Sequence, residues 1–371
     1  MRIFTVQGHQ FRECDALPQT LPGQGFVWVA LERTEVEARL AEVQAGLQKM
    51  CGATLVDLHV SDLLNPHLPS HFDYTAQYDI MVFRRLARQA PESPEKLPTG
   101  LGARRKSGPP VLRRLDTAPV GFAVFDQVLL SVHPQGCPVL DAYATRLLTL
   151  SAAEAREPGR SAPVRMVPSG PADLMLRLVG QMVDSFLELR RELTRQLDHW
   201  QQELLSPRTR FSNWGSLLDA RIALHQLDEI CEDQRVAVLD WIATLNDWPE
   251  AENPAARREQ ELLKVRSRDV LEHIERVVHH VRRLEQSAET AVQIHFSAQS
   301  HRTNDIMRTL TVLTAVFLPL NLIAGIFGMN FEFIPLLHSQ RGFWLAIIGM
   351  LIIAVVLSGY FWRKRYLDNG R

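Results

Sequence analysis

The most distinctive pattern in this chain lies near its end, where two long stretches without charged residues follow one another. They comprise residues 309–327 and 343–362. A helix of about 20 residues is roughly 30 Å long, which is the thickness of the hydrocarbon core of a bilayer. Core helices of soluble proteins are usually shorter, so the pattern favours two membrane-spanning helices over two buried core helices.

The charges that flank these stretches predict their orientation. Arg302 and Arg308 precede the first stretch, and basic residues 363–365 follow the second. Cationic flanks mark the cytoplasmic side of a membrane, so both ends are predicted to face the cytoplasm and only the loop 328–342 to lie outside. The sequence therefore predicts a multi-pass protein of the cell (inner) membrane with both termini cytoplasmic.

The N-terminal part of the chain, residues 1–172, alternates strand and helix signals and predicts a cytoplasmic α/β domain. Strand patterns occupy residues 26–32 and 78–87, and residues 120–134 have the pattern of a strand hairpin. Thr34 and Glu37 have the spacing of a capping box for a helix that runs to about Lys49. Residues 91–110 are rich in proline, glycine and charge, which predicts a surface loop.

Helical patterns dominate the rest of the chain. Residues 173–250 contain two amphipathic patterns that predict a pair of antiparallel cytoplasmic helices. Asn253 followed by Pro254 predicts a helix start, and no strong breaker follows until Pro319. One stalk helix is therefore predicted over 253–327, continuing into the first membrane span. The predicted organisation ends with an external loop at 328–342, a second span at 343–362 and a basic cytoplasmic tail at 363–371.

The cytoplasmic part of this long helix carries apolar residues at alternating spacings of four and three, which is the pattern of a helix packed along a seam. The seam consists of Val270, Ile274, Val277, Val281, Leu284, Ala288 and Ala291. It predicts bundling with neighbouring helices, and packing against the chain's own domain is the alternative for part of its length.

Small and polar residues recur at steps of three and four where the long helix enters the apolar stretch, and they share one narrow face. This polar stripe consists of Asn304, Met307, Thr311, Thr314, Leu318, Asn321, Gly325 and Gly328, and the opposite face carries Val312, Val316, Leu320 and Ile323. Polar groups facing lipid cost free energy, so the stripe is predicted to face protein or water. It forms either a contact between the chain's own two spans or the lining of a pore, which requires a ring of copies.

Composition and charge exclude several classes of function. The 371 residues are 46% hydrophobic and 22% charged, with a formal net charge of −1, which argues against a disordered chain and against a nucleic-acid partner. The 13 histidines and 4 cysteines form no metal-enzyme or disulfide pattern, and no Walker A motif occurs. The sequence thus predicts no enzyme, no catalytic residue and no catalytic cofactor.

A short motif follows the polar stripe. Gly328, Met329 and Asn330 stand at the outer end of the first predicted span, within FLPLNLIAGIFGMNFEFIP. Together with RDVLEH at residues 268–273 and WRKRYL after the second span, this arrangement closely resembles the CorA family of divalent-cation channels. The resemblance implies a homopentamer with a funnel-shaped α/β cytoplasmic domain, a stalk helix running into the pore-lining span, and Mg²⁺ as usual substrate, with Co²⁺ as a further one.

Carried over position by position, the resemblance assigns roles to individual residues. Gly328, Met329 and Asn330 form a selectivity filter whose neutral oxygens hold hydrated Mg²⁺ by its outer waters. Pore-lining positions are Asn304, Met307, Leu310, Thr311, Thr314, Leu318, Asn321 and Gly325; Met307, Leu310 and Leu318 among them form an apolar constriction. Asp269 matches a position that binds a regulatory divalent ion between neighbouring cytoplasmic domains, so that intracellular ion closes the ring. Glu272 and Asp62 are candidate further ligands.

Three residues depart from the family pattern. Phe327 stands where tyrosine is usual, and Asn321 stands where threonine is common. Leu336 replaces an acidic residue of the outer loop, which leaves Glu332 to attract cations outside. Zinc transporters of the ZntB type usually alter the Gly-Met-Asn motif, so the intact motif ranks Mg²⁺ uptake driven by the membrane potential above zinc transport, with or without proton coupling. The alternative of another class is a membrane-tethered scaffold without transport.

Overall fold

The structure is a computed structural model that describes residues 1–8, 10–18, 21–23, 25–87, 115–156, 167–205, 214–329 and 340–364. It divides into two compact units, Met1–Glu289 and Thr290–Arg371. The predicted loop between Pro91 and Pro110 lies outside the described residues.

The first unit is built on a seven-stranded sheet, counted over the described residues, with strand order β2-β1-β3-β7-β6-β5-β4. The strands are β1 Arg2–Gln7, β2 Gln10–Cys14, β3 Phe26–Glu32, β4 His71–Tyr74, β5 Asp79–Leu86, β6 Thr117–Val124 and β7 Val128–His133. Among the strand pairs of the described residues, only β3 with β7 is parallel. The predicted strands at 26–32 and 78–87 and the predicted hairpin are confirmed as β3, β5 and the β6–β7 pair.

Helices cover both faces of this sheet and continue into the second unit. They are α1 Arg33–Cys51, α2 Asp57–Leu64, α3 Pro138–Arg156, α4 Pro171–Leu205, α5 Trp214–Asp247, α6 Pro254–Phe327 and α7 Gln340–Arg363. In β3, Trp28 packs in the core shared with α3 to α6, whereas Val27 and Val29 pack in the core under α1 and α2. Because both faces are covered, β3 is a continuous apolar run and not an alternating pattern.

The start of α1 differs from the prediction. The capping box joins Glu32 and Glu35, not Thr34 and Glu37, and the Glu35 carboxylate accepts the Glu32 backbone N–H at 3.0 Å. Glu35 also pairs with the N-terminal ammonium of Met1, which is remote in sequence. This tertiary contact holds the Glu35 side chain near the start of α1 and so favours the Glu32–Glu35 capping box over the predicted Thr34–Glu37 one.

α6 begins as predicted and runs alongside α4. The Asn253 side chain accepts the Ala255 backbone N–H at 3.0 Å and caps the helix. Thr194 of α4 is 2.8 Å from His280, and Gln201 donates to Ser287 at 2.6 Å. Because residue numbers rise together along the two helices, α4 is parallel to α6.

α5 runs in the opposite direction to α6. Arg282 donates to Asp228 at 2.9 Å, and the buried Trp241 donates its indole N–H to Ser267 at 2.9 Å. Residue numbers rise along α5 as they fall along α6, so the two helices are antiparallel. α4 and α5 are therefore antiparallel to each other, as the sequence predicts.

The apolar seam of α6 packs inside the chain itself. Every seam residue is at most 7% exposed, and those from Val270 to Ala288 belong to one core with α4 and α5. The alternative of packing against the chain's own domain therefore holds for nearly the whole seam. Bundling with other chains is not needed to bury it.

The carboxylate of Asp79, the first residue of β5, leads to a pH-dependent prediction. Burial, together with the nearby charge of Asp126, raises the pKa of Asp79 to about 6, so the folded state binds this proton more tightly than the unfolded state. Stability from this group is therefore lost as pH rises from about 4 to 6. We expect Asp79→Asn to remove that loss and to stabilise the protein at pH 7 by about 1 kcal/mol, after allowance for partial solvation. Thermal unfolding of parent and variant in detergent between pH 4.5 and 7.5 measures it; parallel profiles of melting temperature against pH would contradict it.

Candidate functional site

Among the described residues, α6 and α7 each contain a stretch long and apolar enough to cross a membrane. Only 6% of the residues in each apolar stretch are buried within the chain. Helices in the core of a soluble protein are mostly buried, so the alternative of two buried core helices is wrong. Many large apolar side chains of these two helices are exposed, which suits contact with lipid or with further copies.

α7 lies against the apolar face of α6. A cavity between the two helices is lined by Ile323, Ala324, Phe327, Phe343, Ala346, Ile347 and Met350. On α6, Val312 is buried, and Val316, Leu320 and Ile323 are half-buried. These are the residues that sequence analysis places opposite the polar stripe.

The polar stripe itself is uncovered. Every one of its residues is exposed, from Asn304 at the lower end to Gly328 at the upper end. Its apolar members, Met307 and Leu318, are 58% and 69% exposed, and the neighbouring Leu310 is 55% exposed. The stripe is therefore not the contact between the chain's own two helices, and that alternative is wrong. The predicted pore-lining positions share one open side of α6.

The upper end of the stripe coincides with the end of α6. The Gly328 backbone N–H donates to the Ala324 carbonyl at 2.9 Å, which is the four-residue spacing of an α-helix. The Met329 N–H donates to the Ile326 carbonyl at 3.3 Å, a three-residue spacing that marks the end of the α-helix. The last carbonyls of a helix lack helical N–H partners and carry partial negative charge, which attracts cations. Gly328 and Met329 are thus at a cation-attracting helix end, whereas Asn330, Glu332 and Leu336 lie outside the described residues.

Asp269 lies on an open side of α6 in the first unit. Its side chain is 66% exposed, and its carboxylate is 3.9 Å from Nε2 of His273. Nδ1 of His273 is in turn 3.8 Å from the carboxylate of Asp184 on α4. Among the described residues, no group of three or more His, Cys, Asp or Glu side chains is arranged to hold a metal ion. Within the part of the chain that the structure describes, Asp269 is an exposed carboxylate and not part of a complete metal site.

The two candidate further ligands, Glu272 and Asp62, each contact another side chain. Glu272 pairs with Arg276 one helical turn along α6, and Asp62 is 3.8 Å from Nε2 of His71. Neither lines the cavity beside Asp269, which is formed by α3, α4 and α6. Glu272 is three residues from Asp269 on the same helix, so the two side chains are neighbours, but Glu272 pairs with Arg276. Asp62 is on α2 and contacts His71.

Comparison with protein families decides which family this chain represents. Residues 23–365 match the family model described as CorA-like Mg²⁺ transporter protein. The chain belongs to this family. The family assignment agrees with the resemblance that sequence analysis draws from the Gly-Met-Asn motif and its surroundings.

Curated relatives of this CorA-family chain are similar over different lengths. It is 35% identical to the cobalt/magnesium transport protein CorA of Thermotoga maritima over 100 residues, which are 27% of this chain and 28% of that protein. It is 25% identical to the magnesium transport protein CorA of Escherichia coli K12 over 250 residues, which are 67% of this chain and 71% of that protein. The match to the Thermotoga protein thus spans less than a third of that protein's length.

Solved structures share the fold of this CorA-family chain. The complete structure of the CorA magnesium transporter from Methanocaldococcus jannaschii matches with a TM-score of 0.66 at 15% identity, covering 98% of both chains. The full-length CmaX protein matches with a TM-score of 0.65 at 17% identity, covering 98% of this chain and 97% of its own. These matches confirm the predicted fold class, an N-terminal α/β domain followed by long C-terminal helices.

Sequence analysis of this CorA-family chain misses two residues near Asp269. His273 follows Asp269 by four positions on a helix, so the spacing alone predicts that the two side chains are neighbours. Asp184 is on α4 and has no such signal in the sequence. Its place beside His273 depends on the parallel packing of α4 and α6.

Proposed function

We propose that this protein conducts divalent metal cations, with Mg²⁺ as the main substrate, across the cell (inner) membrane. The observation that carries the proposal is the polar stripe, which is exposed along an apolar helix while α7 covers the opposite face. Family membership supports the same function. The named relatives from Thermotoga and Escherichia are cobalt/magnesium and magnesium transport proteins.

The argument for a ring of copies is energetic. An exposed polar side chain within the span, such as Asn321, is costly in contact with hydrocarbon. α7 does not shield it, and two helices cannot enclose water, so the stripe requires several copies arranged about an axis. We propose a homopentamer with a funnel-shaped cytoplasmic part, as the family resemblance implies. The stripe residues of each copy then line one central pore.

The proposed filter suits a hydrated ion. Mg²⁺ gives up its water reluctantly, so a ring of carbonyl and amide oxygens can hold it through its water shell without trapping it. Gly328, Met329 and Asn330 supply these oxygens, at the helix end where the backbone carbonyls already attract cations. On the cytoplasmic side of this filter, Met307, Leu310 and Leu318 then form an apolar constriction, which closes when it loses water.

Both termini are proposed to be cytoplasmic. The membrane potential, which is negative inside, is proposed to drive cation entry. Moving a divalent ion through 100 mV, negative inside, releases about 4.6 kcal/mol, which corresponds to about three decades of concentration ratio. No nucleotide hydrolysis is needed. Glu332 in the outer loop is proposed to attract cations to the entrance.

Closure is proposed to depend on Asp269. An exposed carboxylate in one copy repels the facing carboxylates of its neighbour until a divalent ion bridges them. Intracellular Mg²⁺ then favours the closed ring, and its loss loosens the contacts between subunits. The absence of a complete site within the described residues of one chain is compatible with ligands shared between copies.

The proposed function is tested with purified protein in proteoliposomes. A potassium diffusion potential is imposed, and entry of Mg²⁺, Co²⁺ and Zn²⁺ is recorded separately, with and without a proton gradient. We expect potential-driven Mg²⁺ entry that a proton gradient does not change. Zn²⁺ entry that depends on the proton gradient would establish the zinc alternative instead. No flux of any of the three ions would establish the scaffold alternative.

A further inference from the structure

Two hydroxyls of the polar stripe have a fixed hydrogen-bonding polarity. Thr311 donates its hydroxyl proton to the Met307 carbonyl at 2.7 Å, and Thr314 donates to the Leu310 carbonyl at 2.8 Å. A hydroxyl has one proton and two acceptor lone pairs. With the proton used inside the helix, each side chain presents only acceptor lone pairs to the open side of α6.

We infer that Thr311 and Thr314 form an acceptor-only section of the conduction path that selects the water shell of a cation. This inference rests on the proposed function. Water molecules around a cation direct their protons outward, and an oxygen lone pair accepts those protons. Water molecules around an anion direct their oxygens outward and find no donor in this section.

The asparagines of the stripe do not have this selectivity. The amides of Asn304 and Asn321 each contain two N–H donors and an acceptor oxygen, so they can bind the shell of either kind of ion. Thr311 and Thr314 lie between them, about 4.5 Å apart along the helix axis. The sign of the permeating charge is therefore set in the middle of the stripe, next to the apolar residues Leu310 and Leu318.

α6 offers a matched control for the hydroxyl itself. Thr309 donates to the Asp305 carbonyl at 2.8 Å, which is the same bond that Thr311 and Thr314 make. It is two residues from Thr311, which on a helix rotates it by about 200° away from the stripe. A hydroxyl that bonds back to its own helix can bend that helix, and Thr309→Val removes such a bond without changing the stripe.

The experiment compares three variants of the full-length protein. The first, the valine pair, carries Thr311→Val and Thr314→Val together, and the second, the serine pair, carries Thr311→Ser and Thr314→Ser together. The third carries Thr309→Val alone. Potential-driven Mg²⁺ entry into proteoliposomes is measured for each, with the oligomer size checked in detergent. Valine matches threonine in shape but lacks the hydroxyl, whereas serine keeps it. We expect the valine pair to lower Mg²⁺ flux about tenfold, and the serine pair and Thr309→Val to remain near the parent.

Three results would overturn the inference. The first is parent-like flux in the valine pair, which would leave the proposed function standing. The second is an equal loss in Thr309→Val, because the effect would then come from the geometry of the helix. The third is a serine pair as defective as the valine pair. Absence of flux in the parent protein is a different outcome, since it overturns the proposed function itself along with this inference.

Discussion

Replacing Asn330 with alanine is expected to lower Mg²⁺ flux through the reconstituted protein by at least about a hundredfold. Each copy in the proposed ring then loses an amide that hydrogen-bonds the water shell of the ion. One such bond contributes about 1 kcal/mol, and several copies act on the same ion. The measurement is potential-driven Mg²⁺ entry into proteoliposomes, with the oligomer size determined on the same preparation.

A matched control for this variant is Asn65→Ala, which makes the same chemical change at an exposed position in the first unit. The Asn65 side chain accepts a local backbone N–H, from His67 at 2.9 Å. We expect the control to conduct like the parent and both variants to assemble. Parent-like flux in Asn330→Ala would refute the proposed role of Asn330 in the filter.

Replacing Asp269 with alanine is expected to raise the Mg²⁺ concentration needed for closure by about tenfold. The side chain is 66% exposed, and its carboxylate is 3.9 Å from Nε2 of His273. Its carboxylate is therefore available to an ion shared with a neighbouring copy, and losing one charged ligand weakens a divalent site substantially. Limited proteolysis across a Mg²⁺ titration measures closure, because the closed ring protects the cytoplasmic part.

The control for this variant is Asp240→Ala, which removes an exposed carboxylate from α5. We expect Asp240→Ala to keep the protection curve of the parent. The prediction is wrong if Asp269→Ala is protected over the same Mg²⁺ range as the parent. Because flux at low Mg²⁺ does not depend on this site, both variants are expected to conduct in Mg²⁺-free solution on the cytoplasmic side.

Elements with strong local signals are predictable from the sequence. α6 begins at Pro254, as its cap predicts, and continues through Pro319 to Phe327, the predicted end of the stalk helix. β3 occupies the predicted residues 26–32 because a short apolar run between turns favours a strand. The start of α1 is not predictable in the same way, since Glu35 is recruited by Met1, which only the fold brings near.

The sequence by itself determined the two apolar helices, the set of residues that share the polar stripe, and the Gly-Met-Asn motif that follows it. These depend on helical periodicity and on transfer free energies, which are local properties of the chain. Only the tertiary structure decided which face of α6 is covered by α7, where the seam is buried, and that Asp184 lies beside His273. Periodicity tells which residues share a face, but the neighbour of each face is chosen by packing between segments remote in sequence.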